Sequence, residues 1–224
     1  MTKEKAVLGS YVGVLLYASF IFLAAGELFY WQAILYVVLA LTGTTLGHLL
    51  EAGGSNLTVE RATKAVAGQS WDKRLLGALF LVNIVTFVTA GLDSGRFGWS
   101  GPVPLWVTIV GAALMFTGQI LFVVAKRENR FFSSTVRIQS ERGHEVCDSG
   151  LYAYVRHPGY LGMLISQLAF PLVLNSYWAF LPAVVGGILL IVRTVMEDQV
   201  LSGELPGYRE YAERTSWKLV PGVF

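Results

Sequence analysis

The sequence predicts an all-α integral membrane protein with about six membrane segments, the last two forming a helical hairpin. Three observations lead there. The chain has 224 residues, is 54% hydrophobic and only 14% charged, with a mean hydropathy of +0.55; a soluble domain carries about 25% charged residues. Charge-free runs recur along it, each near the roughly 20 residues a helix needs to cross a hydrocarbon core of about 30 Å. The basic residues also sort to one side once those runs are threaded through a bilayer.

The runs are Ala6 to Ala25, Ala33 to Leu50, Leu75 to Leu92 and Val103 to Ala125. A fifth apolar region, Leu161 to Val192, is too long for one crossing and is interrupted by Pro171, Asn175, Ser176 and Pro182. Asn175-Ser176 followed by Tyr177 and Trp178 reads as a tight turn near an interface. The region therefore divides into one arm from Pro158 to Leu174 and another from Tyr177 to Val200. With a cytoplasmic N-terminus, six segments return the C-terminus to the same side. All of the 17 Lys and Arg except Arg96 then lie inside. A single last span would export Arg193, Arg209, Arg214 and Lys218, against the positive-inside bias. Both termini are expected to be cytoplasmic. Lys3 and Lys5 before an apolar stretch, with Ala24-Ala25-Gly26 after it, also fit a secretory signal; the run is longer than a usual signal core, which favours a retained helix. Gly53-Gly54-Ser55-Asn56 reads as a cytoplasmic turn, which leaves the Asn56-Leu57-Thr58 glycosylation triplet on the wrong side to matter.

Composition excludes several classes. A formal net charge of +2 and the absence of a basic stripe with interleaved aromatics argue against nucleic-acid binding. Cys147 is the single cysteine, so no internal disulfide forms. His144, Cys147 and His157 lack the compact spacing of a metal site, and none is predicted.

Two cytoplasmic pieces are too polar to be mere connectors: Lys126 to His157, and Arg193 to Phe224. The hairpin brings both to one membrane face, where they can wall a pocket. Pro158 suits the first turn of a helix, where its missing N–H has no helical partner. Free N–H groups there, beside Arg156 and His157, offer a place for an anion. Gly159 and Gly162 allow a ligand or a helix to approach closely. Arg193 and Glu197 fall at i and i+4 on one helix face, although charges where a helix leaves the bilayer are also simply solvated ends. His48, Asn83, Gln119 and Gln167 lie inside spans, where polar groups face the bundle interior. They suit an acceptor channel or, more blandly, interhelical hydrogen bonds.

Arg156-His157-Pro158-Gly159-Tyr160-Leu161-Gly162 preceded by Gly150-x-Tyr152, then Arg193-x-x-x-Glu197-Asp198, Gly207-Tyr208-x-x-Tyr211 and Pro221, resembles the isoprenylcysteine carboxyl methyltransferase family. Related phospholipid methyltransferases share the broader pattern. The likeness runs from about Phe131 to Pro221. It implies an S-adenosylmethionine-dependent membrane methyltransferase with a cytoplasmic C-terminal cofactor pocket and no Rossmann sheet, in keeping with the absence of a strand-linked G-x-G-x-x-G. Residues 1–125 would then be N-terminal transmembrane helices, and 126–224 the methyltransferase core with membrane hairpin and tail.

Carried over by position, the resemblance implies cofactor contacts at Gln139, His144, Glu145, Val146, Cys147, Tyr152, His157, Pro158, Gly159 and Tyr160, with Glu197 closing the site. Arg193 would face the acceptor, and Arg193 and Glu197 are the candidate catalytic residues. Three departures stand out. Gln139 sits two positions nearer to His144 than in the eukaryotic enzymes, Glu145 and Cys147 replace less polar residues, and Asp198 stands where those enzymes carry a second Glu. A guanidinium pairs bidentately with a carboxylate, so Arg193 suits an anionic acceptor; an amine or thiol would need Glu197 as base. The implied acceptor is lipophilic, most simply an isoprenylcysteine-type carboxylate, entering from the bilayer among membrane lipids. Tyr208 and Tyr211 are expected to pin the tail, and Tyr154 to serve packing. Three alternatives remain: a phospholipid or small-molecule N- or S-methyltransferase, an NADPH-dependent membrane reductase, and a transporter or sensor. The last would show inverted repeats or paired broken helices, and only one broken hairpin is present.

Overall fold

A computed structural model describes residues 3–51 and 68–224. The Gly53–Asn56 turn and the glycosylation triplet lie outside the described residues. Those described fold entirely as helices, turns and loops, with no strand among them.

Helix α1 spans Lys3–Ala25 and α2 spans Trp31–Glu51. Helix α3, Ser70–Ala90, runs directly into a π-helical segment, Gly91–Phe97, which ends at Gly98 in the left-handed conformation. Helix α4 is Leu105–Glu128, α5 Pro158–Val173, α6 Phe180–Glu204 and α7 Tyr208–Arg214. Five helices are long and apolar enough to cross a membrane: α1, α2, α3 with its π extension, α4 and α6. Helix α5 is not. Its 16 residues reach about 24 Å at 1.5 Å per residue, short of a core of about 30 Å. Five full-length helices and one short arm thus stand where about six membrane segments were expected. The reason is local: Pro171 sits near the end of α5, and Asn175 turns the chain with a positive φ of 55°, which Asn tolerates better than most residues.

Small residues set how closely the helices pack. A Cβ on Gly162 of α5 would meet Gly118 O at 2.5 Å and Phe122 N at 2.7 Å on α4. Gly111 lies equally close to the Leu172–Val173 backbone. Helices α4 and α5 therefore touch backbone to backbone, the packing that small residues permit in membranes. Gly159 lies against the Phe132 ring. Helix α1 is built into the bundle, with Ile21 and Ala25 buried against the core around Phe87, Tyr36 and Leu174.

Polar groups tie one end of the bundle. Asp93 in the π segment accepts from Ser100 N at 2.7 Å and from Ser176 Oγ at 2.6 Å. Thr108 donates to Asn175 Oδ1, and Tyr30 to Leu174 O, both at 2.5 Å. These bonds hold the turn between α5 and α6 to the π segment, α4 and the start of α2. At the other end the C-terminal tail straps the loop preceding α5: Arg156 N donates to Trp217 O and His157 N to Lys218 O, each at 2.9 Å. The two polar pieces singled out in the sequence therefore meet.

Candidate functional site

Where loop and tail meet, a cavity of about 300 Å³ opens between α4, α5, α6, α7 and the loop from Phe131 to Cys147. Its framework is organised on Asp198. That carboxylate is 7% exposed and accepts from Arg156 Nε at 2.8 Å and Nη2 at 3.0 Å. It also accepts from Tyr208 OH at 2.8 Å and lies 3.1 Å from His157 Nε2. A buried carboxylate is tolerable only when paired and hydrogen-bonded, and here four donors converge on it. The result is an oriented His157 ring at the start of α5. Arg156 spends its remaining Nη1 on the carbonyls of Thr215 and Ser216. It pins the tail and is not offered to an anion at the α5 N-terminus as the sequence suggested.

A second buried pair lies deeper. Arg193 on α6 donates to Asp72 on α3 through Nε at 2.6 Å and Nη2 at 3.2 Å, and Nη2 also reaches Ser134 O at 2.9 Å. Asp72 is fully buried and Arg193 4% exposed. The guanidinium carbon also lies 5.2 Å from the Tyr160 ring centre, a cation–π contact. Arg193 thus already has a carboxylate partner within the protein. One turn further along α6, Glu197 accepts from Tyr160 OH at 2.5 Å and lines the cavity.

The loop from Phe131 to Cys147 covers the cavity. Gln139 is buried, donates to Phe131 O at 2.5 Å, accepts from Arg142 at 2.7 Å, and offers its backbone N–H to His144 Nδ1 at 3.2 Å. It shapes the loop and does not line the cavity; neither does Pro158, buried in the first turn of α5. The other expected contacts, His144, Glu145, Val146, Cys147, Tyr152, His157, Gly159, Tyr160 and Glu197, all line it, as does Arg193. Burial, with Arg137 and Arg142 nearby, lowers the His144 pKa and keeps the ring neutral. Burial raises the Cys147 thiol, which disfavours the thiolate. Tyr152 donates to Ala125 O at 3.3 Å, and burial holds its phenol protonated.

Several cavity residues have no counterpart in the sequence reading. Thr135 Oγ1 and Arg137 Nε belong to this lining, buried and without a hydrogen-bond partner among the described residues. Tyr208 and Tyr211 pin the tail as expected, Tyr211 by donating to Tyr152 O at 2.7 Å, but both also line the cavity. Tyr154 is 72% exposed and packs little.

A second cavity, about 640 Å³, lies among α1 to α6 and shares Leu76, Phe122 and Met163 with the first. His48, Asn83, Gln119 and Gln167 all line it.

These features define a helical, multi-pass membrane protein whose polar loop and tail enclose a pocket adjoining an apolar interior space. The chain matches the model of the isoprenylcysteine carboxyl methyltransferase family over residues 108–203. It is 30% identical over 146 residues to the cobalt-zinc-cadmium resistance protein CzcN of Cupriavidus metallidurans, covering 59% of this chain and 58% of that protein. It is also 30% identical over 112 residues to protein-S-isoprenylcysteine O-methyltransferase B of Arabidopsis thaliana, covering 49% of this chain and 57% of that one. The chain thus spans a little over half the length of the curated relatives it matches.

Proposed function

We propose that the protein is an integral membrane methyltransferase that uses S-adenosylmethionine to methylate a lipophilic acceptor. One observation carries the reading: the family-matched segment gathers His157, Gly159, Tyr160, Arg193 and Glu197 around a single cavity under the 131–147 loop. The residues fit the cofactor chemically. Unpartnered Arg137 Nε and Thr135 Oγ1 suit its carboxylate and hydroxyls, the Phe131 and Phe132 rings its base, and Glu197 its positive charge. S-adenosylmethionine would supply a methyl group already activated by its sulfonium.

What the chain must add is position. Asp198 holds His157, and the Tyr160–Glu197 bond holds the carboxylate at the cavity wall. The shared residues Leu76, Phe122 and Met163 put the larger cavity next to this site, so the acceptor's apolar body has a place while its reacting atom reaches the first. An amine or thiol acceptor would lose its proton to Glu197; a carboxylate needs no base. An isoprenylcysteine-type carboxylate, suggested by the family and the Arabidopsis relative, is the first acceptor to assay. Its carboxylate would meet Arg193 beside Asp72, so the pair's near-neutrality weakens that contact. We place the pocket on the cytoplasmic side, with residues 126–224 as the methyltransferase core.

Isothermal titration of the purified protein with S-adenosylmethionine, followed by transfer of its labelled methyl to N-acetyl-S-farnesylcysteine, a long-chain amine and a long-chain thiol, tests this. Saturable binding and a methylated product are expected. Binding of NADPH without S-adenosylmethionine binding would replace the reading with a reductase.

A further inference from the structure

Three amide side chains end inside the helical bundle with hydrogen-bonding atoms that nothing satisfies. Asn83 on α3, Gln119 on α4 and Gln167 on α5 line the larger cavity. Asn83 Oδ1, Gln119 Oε1 and Gln167 Nε2 are buried without a partner among the described residues. Leaving such groups unpaired in apolar surroundings is costly. Interhelical bonding, the bland role for intramembrane amides, would pair them across helices, as Asn175 is paired with Thr108 in this same bundle. These three make no such pair. The bundle nevertheless makes room for them: Gly43 lies against the Gln119 amide, and Gly186 against that of Gln167. The rest of the wall is largely apolar, with Val14, Leu79, Phe80, Met115, Phe170 and Leu190 among it. The space is thus a largely apolar chamber whose polar lining, with Ser10, Thr44, His48, Lys126 and Ser166, includes three amides that have an unpaired atom among the described residues.

A plain prenyl or acyl chain would leave those amide atoms, already out of reach of water, without a partner. A hydroxyl both donates and accepts, so it satisfies an amide oxygen and an amide nitrogen alike. We propose that this cavity receives the body of the methyl acceptor and selects a lipophile carrying hydroxyl groups along that body over an unadorned chain. The acceptor role rests on the methyltransferase reading above; the hydroxyl preference rests on the cavity alone. Sites built to hydrogen-bond a ligand reject analogues that lack the group far more sharply than apolar sites discriminate by size.

The test uses the protein reconstituted in lipid nanodiscs and the matched probes 12-hydroxystearate and stearate, tritiated, with binding corrected for protein-free discs. S-adenosylmethionine binding is titrated on the same preparation. The hydroxylated chain should bind about tenfold or more tightly than stearate, the scale of one buried hydrogen bond gained. Asn83→Leu, Gln119→Met and Gln167→Met should each shrink that ratio, while leaving the ligand-free thermal midpoint unchanged or raised. Equal affinities overturn the proposal, as does a ratio unmoved in all three variants. So does a lowered ligand-free midpoint in all three, the mark of amides that bond between helices. If S-adenosylmethionine fails to bind but the hydroxyl preference persists, the methyltransferase reading falls and the selectivity of the cavity stands. If S-adenosylmethionine binds and the preference is missing, only the present proposal falls.

Discussion

Arg193 and Asp72 carry opposite charges into the bundle from α6 and α3, and each is tolerable only because of the other. Removing one partner of a buried ion pair leaves an uncompensated charge, at a cost of about 3–5 kcal/mol. Arg193→Ala should therefore lower unfolding stability by roughly 3 kcal/mol, and Asp72→Leu with Arg193→Met should recover much of it, as read by denaturation in detergent. In that stable double variant the acceptor KM should rise severalfold while the Kd for S-adenosylmethionine holds; equal loss of both would remove Arg193 from the acceptor site. Asp198 acts differently, through His157. Asp198→Asn should weaken S-adenosylmethionine binding about tenfold, the scale of a lost charge-assisted bond, whereas Tyr208→Phe should cost several times less because Arg156 still holds the carboxylate. His144 makes the site sensitive to acid. Its pKa is lowered by burial and then by Arg137 and Arg142, so above its ordinary value of 6.5 the ring is neutral in folded and unfolded chains alike. Below 6.5 the unfolded chain takes up the proton first, and the folded loop loses stability as pH falls further. Protonation also removes the Nδ1 acceptor for Gln139 N. S-adenosylmethionine affinity should thus decline as the pH falls below 6.5, and His144→Asn, which keeps an acceptor, should flatten the decline.

Among the elements, α4 and α5 form the contact on which the pocket is built, because α5 carries His157 at its start and Tyr160 in its first turn. Their glycines leave no room for a side chain. A Cβ on Gly162 would strike α4 backbone at 2.5 Å, so Gly162→Leu should abolish the monodisperse folded peak in size-exclusion chromatography. Gly77→Leu on α3, where nothing lies within 4 Å, should leave that peak intact. The helices themselves were legible in the sequence, since lack of charge over some twenty residues is a local property. The α5–α6 break was legible too, from Pro171 and the Asn175-Ser176 turn. The short reach of α5 was legible as well, since Pro158 and the Asn175 turn bound an arm of that length. The π segment at Gly91–Phe97 gave no signal, since its register is set by packing Gly91 and Gly95 onto α1. The candidate site divides the same way. His157, Tyr160 and Glu197 stand in a spaced motif, but the partner of Arg193 lies 121 residues away in an unremarkable Asp. Asp198 could be seen as a charge near a helix end, but its four donors come from two separate stretches of chain, 156–157 and Tyr208. Pairings of that kind are tertiary facts, and one sequence does not display them.

The whole molecule joins a soluble cofactor and a lipid-dwelling acceptor only if it presents its two cavities to two different solvents. The smaller one is walled by polar loop and tail, the larger by apolar helices whose outer faces carry exposed Leu23, Leu105, Trp106 and Leu181. That division is what a bilayer boundary running across the bundle near Leu76, Phe122 and Met163 would require. The distribution of basic residues sets the direction: Arg96 stands alone at the end tied by Asp93, while the end bearing the tail carries Arg156, Arg209, Arg214 and Lys218. On the positive-inside rule we propose that the tail end is cytoplasmic. Cys147 is the sole cysteine, so single-cysteine variants are readily made on a Cys147→Ser background. Trp99→Cys, at a position 56% exposed, reports one end; Arg214→Cys, whose side chain is 68% exposed, reports the other. In intact cells a membrane-impermeant maleimide should label Cys at 99 and spare Cys at 214, and lysis should open the second site. Labelling of both before lysis would put the two ends in one compartment and dismantle the proposed boundary. Reversed labelling would keep the boundary but turn the pocket away from cytoplasmic S-adenosylmethionine, which would end the proposed reaction.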